Sequence, residues 1–326
     1  MVYVRSLNKN IWPYYIPPYK DELFTSWIYR LSIKSSVKPI PFVNNCFGRD
    51  RAFWNRDIDL RIPDEIVNKV LIHTPLKSRE DIVNMSLESY AGRVFETLKV
   101  NTYTPGISSI GIKHRKRKQF GLSFCPKCIS KNYFQKSWRL ETSVVCLDCN
   151  SLLLDRCPKC GAPISFHRIN VGRKSKFDEN MFTCSNCKFD LRKSNIKDQS
   201  SEELSRYQRF IDKTIEEGYN HITTHSFTYI RILLHLCSKL MTSNDSNLFR
   251  SNFQKYYDVK INNEGVFRFA PIDEKRKVLE KVNLMLMNWP YSFLEIRKMN
   301  HFNNSHIIDN LNKAPYWFKY YLIFDS

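Results

Sequence analysis

The chain has 326 residues, of which 42% are apolar and 14% aromatic, a composition typical of a globular protein. No run approaches the roughly eighteen apolar residues needed to cross a bilayer, and residues 1–19 lack the apolar stretch of a secretion signal. We therefore expect a soluble, cytoplasmic protein without a membrane partner. The 51 Lys and Arg outnumber the 32 Asp and Glu, and the formal net charge of +19 favours polyanions such as nucleic acid as partners.

The first hundred residues predict a helical region. After two consecutive prolines, apolar residues recur at helical spacing from Leu23 to Leu31 and predict the first helix. Asp21 is the expected N-cap of this helix, and Pro39 and Pro41 are expected to mark its end.

Two further short helices are predicted, one opening at Pro63 and one following Ser78, where Asp81 gives a capping-box-like start. Together they have the outline of a helix-turn-helix. In a DNA-reading version, Arg79 and its neighbours would enter the major groove. The carboxylates of Glu80 and Asp81 would then face phosphates, so we favour a simple three-helix packing unit or a protein-docking surface, with DNA reading as the alternative.

Residues 106–119 read as a linker, in which glycines and serines precede a dense basic run. We predict that this run contacts nucleic acid, although a solvated charge cluster is the simpler interpretation. Its members are Lys113, His114, Arg115, Lys116, Arg117 and Lys118. A weaker basic patch is predicted at Arg173, Lys174 and Lys176.

Eight of the ten cysteines form four Cys-x-x-Cys pairs: Cys125/Cys128, Cys146/Cys149, Cys157/Cys160 and Cys184/Cys187. Two such turns can supply the four thiolates of one closed structural zinc site. Consecutive pairing leaves spacers typical of zinc ribbons, so we predict two structural Zn²⁺ ions. Disulfides or redox motifs are the alternatives, and the absence of a secretion signal disfavours them. Cys46 and Cys237 are expected to be small core residues.

Beyond residue 200 the pattern is again helical. Helices are predicted over Glu203–Glu217, Phe227–Met241 and Pro271–Met287, and another begins after the Trp289-Pro290 break. The aromatic tail from Tyr316 onward is expected to belong to the core or to an interface.

The predicted fold is mainly α, with two small zinc-ribbon or zinc-finger modules in the middle. The predicted domains are an N-terminal helical, helix-turn-helix-like domain (1–105), a basic linker (106–119), tandem zinc modules (120–195) and a C-terminal helical domain (196–326).

Several stretches resemble the TniQ/TnsD family of transposon target-selection proteins. Residues 18–31 contain the S-W-x-x-R-L pattern of the family's N-terminal helix, and residues 124–164 resemble its zinc segment. Weaker matches are residues 53–59 and Trp289-Pro290 with Phe293. Members commonly have Cys-x-x-His where this chain has Cys146 and Cys149, so the resemblance gives Cys149 a ligand role only if a thiolate replaces an imidazole.

The resemblance implies a non-enzymatic adaptor for transposition and DNA recombination. Such a protein recognises a target and recruits a TnsC-type AAA+ ATPase. The target is either a specific DNA site, as in TnsD-like proteins that read a chromosomal attachment site, or a CRISPR RNA-guided effector complex. Members that read a DNA site tend to have long C-terminal extensions, whereas guide-complex adaptors are shorter. The length of this chain lies between them, and we favour the RNA-guided form. The oligomeric state stays open, with a homodimer as one option.

Two other classes compete with the adaptor. In a metal-dependent nuclease or transposase, Asp57, Asp59 and a distant Glu would bind Mg²⁺. The ordinary interpretation of these aspartates is solvated ion pairing with Arg56 and Arg61. A plain sequence-specific transcription factor would bind DNA tightly without an ATPase partner.

Overall fold

A computed structural model describes residues 11–12, 14–48, 52–171, 178–194, 200–244, 246–262 and 265–324. In this part of the chain the protein is mainly helical, as predicted, and it also contains two short β-hairpins. The helices are α1 (Phe24–Lys34), α2 (Pro39–Phe47), α3 (Ala52–Asn55), α4 (Asp64–His73), α5 (Arg79–Val83), α6 (Glu202–Glu217), α7 (Ser226–Thr242), α8 (Leu248–Tyr256), α9 (Ile272–Met287), α10 (Tyr291–Met299) and α11 (Tyr316–Phe324). No helix among the described residues is both long and apolar enough to cross a membrane.

Two antiparallel hairpins complete the regular structure of the described residues. The first pairs β1 (Ile112–Lys113) with β2 (Lys116–Arg117), and the second pairs β3 (Val145–Cys146) with β4 (Ser151–Leu152). The first hairpin lies within the segment that the sequence predicted as a basic linker.

The chain forms two compact units. Unit 1 comprises Met1–Ser89, Ile110–Arg139 and Asp155–Asn195, and unit 2 comprises Tyr90–Ser109, Leu140–Leu154 and Ile196–Ser326. The domain boundaries drawn from the sequence stay predictions, since compact units need not coincide with folding domains.

The core of unit 1 is built on α1, whose apolar residues are fully enclosed. Phe24, Trp27 and Ile28 have no exposed surface and pack with apolar side chains of α2, α3, α4 and α5. The Trp27 indole nitrogen donates a hydrogen bond of 2.9 Å to the carbonyl of Ile16, so its polar group is satisfied within the core. The helical spacing seen in the sequence therefore reports a real buried face.

The predicted N-cap of α1 is wrong. The helix begins at Phe24 after Leu23, and Asp21 lies outside it with a φ of +61°. The Asp21 carboxylate instead accepts hydrogen bonds from the Ser137 hydroxyl at 2.6 Å and from the Ser137 amide at 3.2 Å. A partner more than a hundred residues away outcompetes the local cap, because the whole turn is held by tertiary contacts.

The two prolines after α1 also act differently from the prediction. The helix ends at Lys34, and Pro39 starts a second helix rather than only ending the first. Pro39 lies in the first turn of α2, where its fixed φ suits the helix and its missing N–H is not needed.

The predicted helices α4 and α5 are confirmed, including the capping box. The Ser78 hydroxyl accepts from the Asp81 amide at 3.2 Å, and the Asp81 carboxylate accepts from the Ser78 amide at 3.0 Å. These backbone hydrogen bonds hold the pKa of Asp81 below its ordinary value. Helix α5 is only five residues long, and the exposed Arg79 pairs with Asp64.

Unit 2 is built on the pair α7 and α9, with α6 beside them. The predicted α6 is confirmed, since Ser201 caps its start by accepting from the Leu204 amide at 3.1 Å and Gly218 ends it with a φ of +83°. Tyr229 of α7 is fully buried and donates a 2.9 Å hydrogen bond to Asn283 of α9. The predicted α9 and α10 are also confirmed.

The aromatic tail folds as α11 in unit 2. Phe318 and Leu322 have no exposed surface, which confirms a core role for this face. The Phe318 ring stacks on the Trp289 ring at a centroid distance of 4.7 Å. Tyr316, by contrast, is 69% exposed.

A buried ion pair crosses the core of unit 1. The guanidinium of Arg139, which is fully buried, donates to both carboxylate oxygens of Asp57 at 3.2 and 2.7 Å. Asp59 is 1% exposed and accepts from the amide and hydroxyl of Thr25 at 2.9 and 2.7 Å. The expected solvated pairing of these aspartates is therefore wrong, because their partners come from distant segments of the chain.

The pKa values follow from this burial. Burial and the neighbouring Asp57 raise the pKa of Asp59, although Arg139 and the hydrogen bonds from Thr25 oppose the rise. Burial works against the charge on Arg139, but the carboxylate of Asp57 outweighs it and raises the pKa of Arg139. Arg139 is thus the cation that keeps two aspartates in the core.

We expect Arg139→Met to lower the free energy of unfolding by about 3–5 kcal/mol, because it leaves the buried Asp59 and the largely enclosed Asp57 without their counter-charge. Adding Asp57→Asn to this variant should restore part of the loss. The matched control is Arg79→Met, which breaks an exposed pair and should change stability by less than about 1 kcal/mol. Urea denaturation followed by tryptophan fluorescence measures all three, and equal effects of Arg139→Met and Arg79→Met would contradict the structural role of the buried pair.

Candidate metal centres

The first Cys-x-x-Cys pair lies on a tight turn of unit 1. The amide of Ile129 donates to the carbonyl of Cys125 at 2.9 Å, and the amide of Cys128 approaches the Cys125 sulfur at 3.4 Å. A single 3₁₀ turn from Cys128 to Lys131 follows and ends at Asn132, whose φ is +61°. Amide-to-sulfur hydrogen bonds of this kind stabilise a thiolate, which is the form that binds metal.

The second pair belongs to the β3–β4 hairpin, where Cys146 lies opposite Ser151 in the ladder. Cys149 lies in the connecting turn and is half-buried. The sulfurs of Cys125, Cys128, Cys146 and Cys149 all lie within 4.8 Å of one another. These four thiols therefore form one candidate metal centre.

The third and fourth pairs form the second centre within unit 1. The sulfurs of Cys157, Cys160, Cys184 and Cys187 also lie within 4.8 Å of one another. Each pair is a turn closed through the backbone, with Gly161 N donating to Cys157 O at 2.8 Å and Lys188 N to Cys184 O at 3.0 Å. Both closing residues have left-handed φ values, +68° for Gly161 and +61° for Lys188.

The sulfur separations of the second centre fit a tetrahedral ion. Cys157 Sγ lies 3.6 Å from Cys187 Sγ, and Cys160 Sγ lies 3.8 Å from Cys184 Sγ. A tetrahedron with Zn–S bonds of about 2.3 Å has S···S edges of about 3.8 Å. All ten cysteines lie within the described residues, and none forms a disulfide. The consecutive pairing predicted from the spacers is confirmed.

The electrostatics of the second centre call for a cation. Burial raises the pKa of the Cys157 thiol to about 12. Hydrogen bonds, including one from the Asn186 side chain at 3.5 Å, overcome the smaller burial of Cys160 and lower its pKa to about 6. Four thiolates held this closely repel one another unless a metal ion neutralises them. Asn186 was not singled out from the sequence, and its place between the two cysteines of the last pair is the only local signal for it.

Outside these two centres, no other group of three or more His, Cys, Asp or Glu side chains in the described part of the chain converges on a common point. Asp57 and Asp59, the predicted ligands of the competing nuclease, are instead held by Arg139 and Thr25. Cys237 has no exposed surface within α7, which confirms it as a core residue, and Cys46 is half-buried.

The first hairpin divides the basic run predicted to contact nucleic acid into exposed side chains and one buried side chain. Lys113, His114, Lys116 and Lys118 are exposed, and Arg115 is partly exposed. Arg117 is only 7% exposed, and its guanidinium donates to the carbonyl of Ile164 at 3.1 Å and lies over the Phe166 ring. The predicted second patch, Arg173, Lys174 and Lys176, lies outside the described residues.

His167 is a buried residue that contacts the turn of this hairpin. It is 2% exposed, and its Nε2 lies 2.9 Å from the carbonyl oxygen of Arg115. A carbonyl only accepts hydrogen bonds, so Nε2 carries the hydrogen. The ring stacks on Trp54 at a centroid distance of 4.7 Å. Burial, together with the nearby charge of Arg117, lowers the pKa of His167 to about 3, and burial lowers the pKa of Arg117 to about 10.

The structure thus defines a mainly helical protein that carries two tetracysteine centres able to hold metal ions. Residues 13–152 match the model of the TniQ family, so this part of the chain is a TniQ domain. The matched segment contains the first centre and ends before Cys157, the first cysteine of the second. A comparison with curated proteins gives no significant match. A TniQ domain indicates a transposition-associated protein of target selection, and members of this family act in complexes with other proteins.

We expect Cys125→Ser and Cys157→Ser each to lose one bound metal ion while keeping the other, because a hydroxyl is a much weaker ligand than a thiolate. The control is Cys46→Ser, which alters a cysteine outside both centres and should keep two ions. Native mass spectrometry counts the ions. A Cys125→Ser protein that retains two ions would contradict the ligand assignment.

Cys149 allows a sharper test of the first centre. Because zinc accepts an imidazole as readily as a thiolate, Cys149→His should retain the ion, whereas Cys149→Ser should lose it. The half-buried position of Cys149 gives the larger ring access to solvent-facing space. Metal content and thermal unfolding of the two variants decide the question, and equal loss in both would show that this position requires sulfur.

Proposed function

We propose that the protein is a non-enzymatic adaptor that selects the target for transposition. It binds a target complex and recruits a TnsC-type AAA+ ATPase, which directs the transposase. The observation that carries this proposal is the TniQ match over residues 13–152. The formal net charge of +19 supports a function beside nucleic acid, since a field of this size attracts phosphate chains.

In this proposal each tetracysteine centre holds one structural Zn²⁺ ion. Each centre offers four sulfur ligands, and the S···S distances of 3.6 and 3.8 Å in the second centre suit tetrahedral zinc. Because all four positions are taken by cysteine, no position is left for a reactive water. The ions therefore stabilise the fold rather than perform chemistry.

The adaptor reaches its target in one of two ways. We favour docking on a CRISPR RNA-guided effector complex, and the alternative is direct recognition of a chromosomal attachment site in the manner of TnsD. A homodimer is compatible with either. The helix-turn-helix function of α4 and α5 belongs to the second way, in which the exposed face around Arg79 would meet the duplex.

The absence of catalysis is also part of the proposal. Asp57 is bonded through both carboxylate oxygens to Arg139, which disfavours Mg²⁺ binding there. A nuclease would need carboxylates that are open to a hydrated metal ion. Metal-dependent nicking of plasmid by the native protein, abolished by Asp57→Ala, would speak for the enzyme instead.

The adaptor predicts a physical complex with the ATPase. We expect the zinc-loaded protein to co-purify with a TnsC-type AAA+ ATPase in the presence of target DNA or of a CRISPR effector complex. Protein stripped of metal by a chelator should lose this binding, since the metal-binding free energy is part of the folding free energy of such modules. Native mass spectrometry and pull-down measure the complex. Loaded protein that binds neither the ATPase, nor a CRISPR effector complex, nor attachment-site DNA would refute the proposal.

A further inference from the structure

The hairpin of β1 and β2 is a short, strongly basic projection of unit 1. Lys113 and Lys116 are the two residues that flank its turn, and they lie directly opposite each other in the ladder. His114 and Arg115 form the turn, both with positive φ, +49° and +61°. Two positive φ values in a two-residue hairpin turn are typical of a type I′ turn.

This arrangement is unfavourable for the isolated protein. Like charges directly opposite each other in a ladder are destabilising. Left-handed φ values disfavour residues that have a Cβ, and type I′ turns ordinarily contain Asn and Gly. Among the described residues, Lys113, His114, Arg115 and Lys116 form no ion pair with a carboxylate. Local conflicts of this kind are typical of functional sites.

The hairpin is nevertheless held by contacts at its turn and at its base. Arg117 pairs with Ile112 in the ladder and directs its side chain inward to the Ile164 carbonyl, while His167 donates to the Arg115 carbonyl at the turn. At the base, Gly111 has a φ of +50°, and a Cβ there would lie 2.7 Å from the Gln119 side chain. The basic side chains of the tip thus belong to a backbone that is held at the turn and at the base of the hairpin.

We propose that this hairpin is a preformed phosphate-binding finger for the backbone of duplex DNA. Lys113 and Lys116 donate to phosphates, the turn residues extend the contact, and Arg117 and His167 are positioning residues that never touch the nucleic acid. The inference rests on the proposed function, which it deepens by assigning the contact to particular side chains.

Two physical arguments favour duplex DNA as the occupant. A two-stranded β-ribbon fits the major groove of B-DNA, about 12 Å wide, whereas the major groove of an RNA duplex is deep and too narrow for side chains to read. The lysines carry only donors, so they suit phosphate oxygens and carry no base code by themselves. The finger therefore adds affinity without sequence preference.

The test compares two double variants that remove the same charge. Lys113→Gln/Lys116→Gln neutralises the finger, and Lys255→Gln/Lys260→Gln neutralises two exposed lysines of unit 2. Binding of zinc-loaded protein to a labelled random-sequence DNA duplex is measured by fluorescence anisotropy from about 50 to about 200 mM salt. The finger variant should reduce the magnitude of the negative slope of log K against log salt by about 2, one unit for each lost phosphate contact. The control variant should leave the slope unchanged.

His167→Phe tests the positioning role separately. It retains the aromatic stack on Trp54 but removes the hydrogen bond to the Arg115 carbonyl, so it should weaken duplex binding while metal content stays at two ions. The magnitude of its salt slope should decrease less than that of the finger variant, because the two lysines are still present.

The outcomes distinguish this inference from the proposed function. If the native protein binds duplex DNA and the finger variant has an unchanged slope, the finger is refuted while the adaptor stands. If the finger variant loses binding to an RNA duplex but not to DNA, the assignment to DNA is overturned. If the finger variant loses DNA binding but the native protein captures neither the ATPase, nor a CRISPR effector complex, nor attachment-site DNA, the finger stands and the adaptor fails.

Discussion

The middle of this protein depends on the convergence of four thiols at each of two points. Sulfurs packed at 3.6 and 3.8 Å cannot all ionise without a cation among them, and without ionisation they form no strong bonds to one another. The surrounding chain has little regular structure of its own: the β3–β4 ladder is two residues long on each side, and the remaining turns are single 3₁₀ turns. Buried apolar side chains such as Phe124, Phe134 and Phe166 hold part of this region, and the candidate metal-ligating turns add a constraint of their own.

A second constraint is the set of buried charges in unit 1. Arg139 compensates Asp57 and Asp59, and Arg117 is directed inward by the Ile164 carbonyl and the Phe166 ring. Burial of charge is expensive unless each group finds a partner, and here the partners come from segments far apart in sequence. This network determines which basic side chains of the run are buried in the fold and which stay exposed at the hairpin tip.

Together, the two constraints engage the thiols and the aspartates within the fold and leave basic side chains exposed at the surface. In the proposed adaptor the tetracysteine centres leave no position for a reactive water, and the aspartates assigned to Mg²⁺ in the competing nuclease are engaged by Arg139 and Thr25. The exposed cations at the hairpin tip, by contrast, have no carboxylate partner among the described residues. The match to the TniQ family ends before the second centre, so the second set of four cysteines lies outside the matched segment.

Much of this could be predicted from the sequence, because its signals are local. The Cys-x-x-Cys spacing identified all eight candidate ligands and their pairing, and helical periodicity located α1, α4, α5, α6, α7, α9 and α10 together with the capping box at Ser78. These features follow from contacts between residues close in the chain. Helix α2 was missed because Pro39 was interpreted as a stop signal, and α8 was missed because its pattern is short.

Tertiary structure alone decided the features that depend on distant partners. Asp21 looks like a cap but is bound by Ser137, and Asp57 looks solvated but is bound by Arg139. Arg117 looks like its basic neighbours, yet the alternation of the ladder turns it inward while Lys113 and Lys116 face outward. The sequence by itself determined which residues are able to bind metal and form helices. Only the fold determined which charges are buried, because the energy of a charge depends on what surrounds it in space.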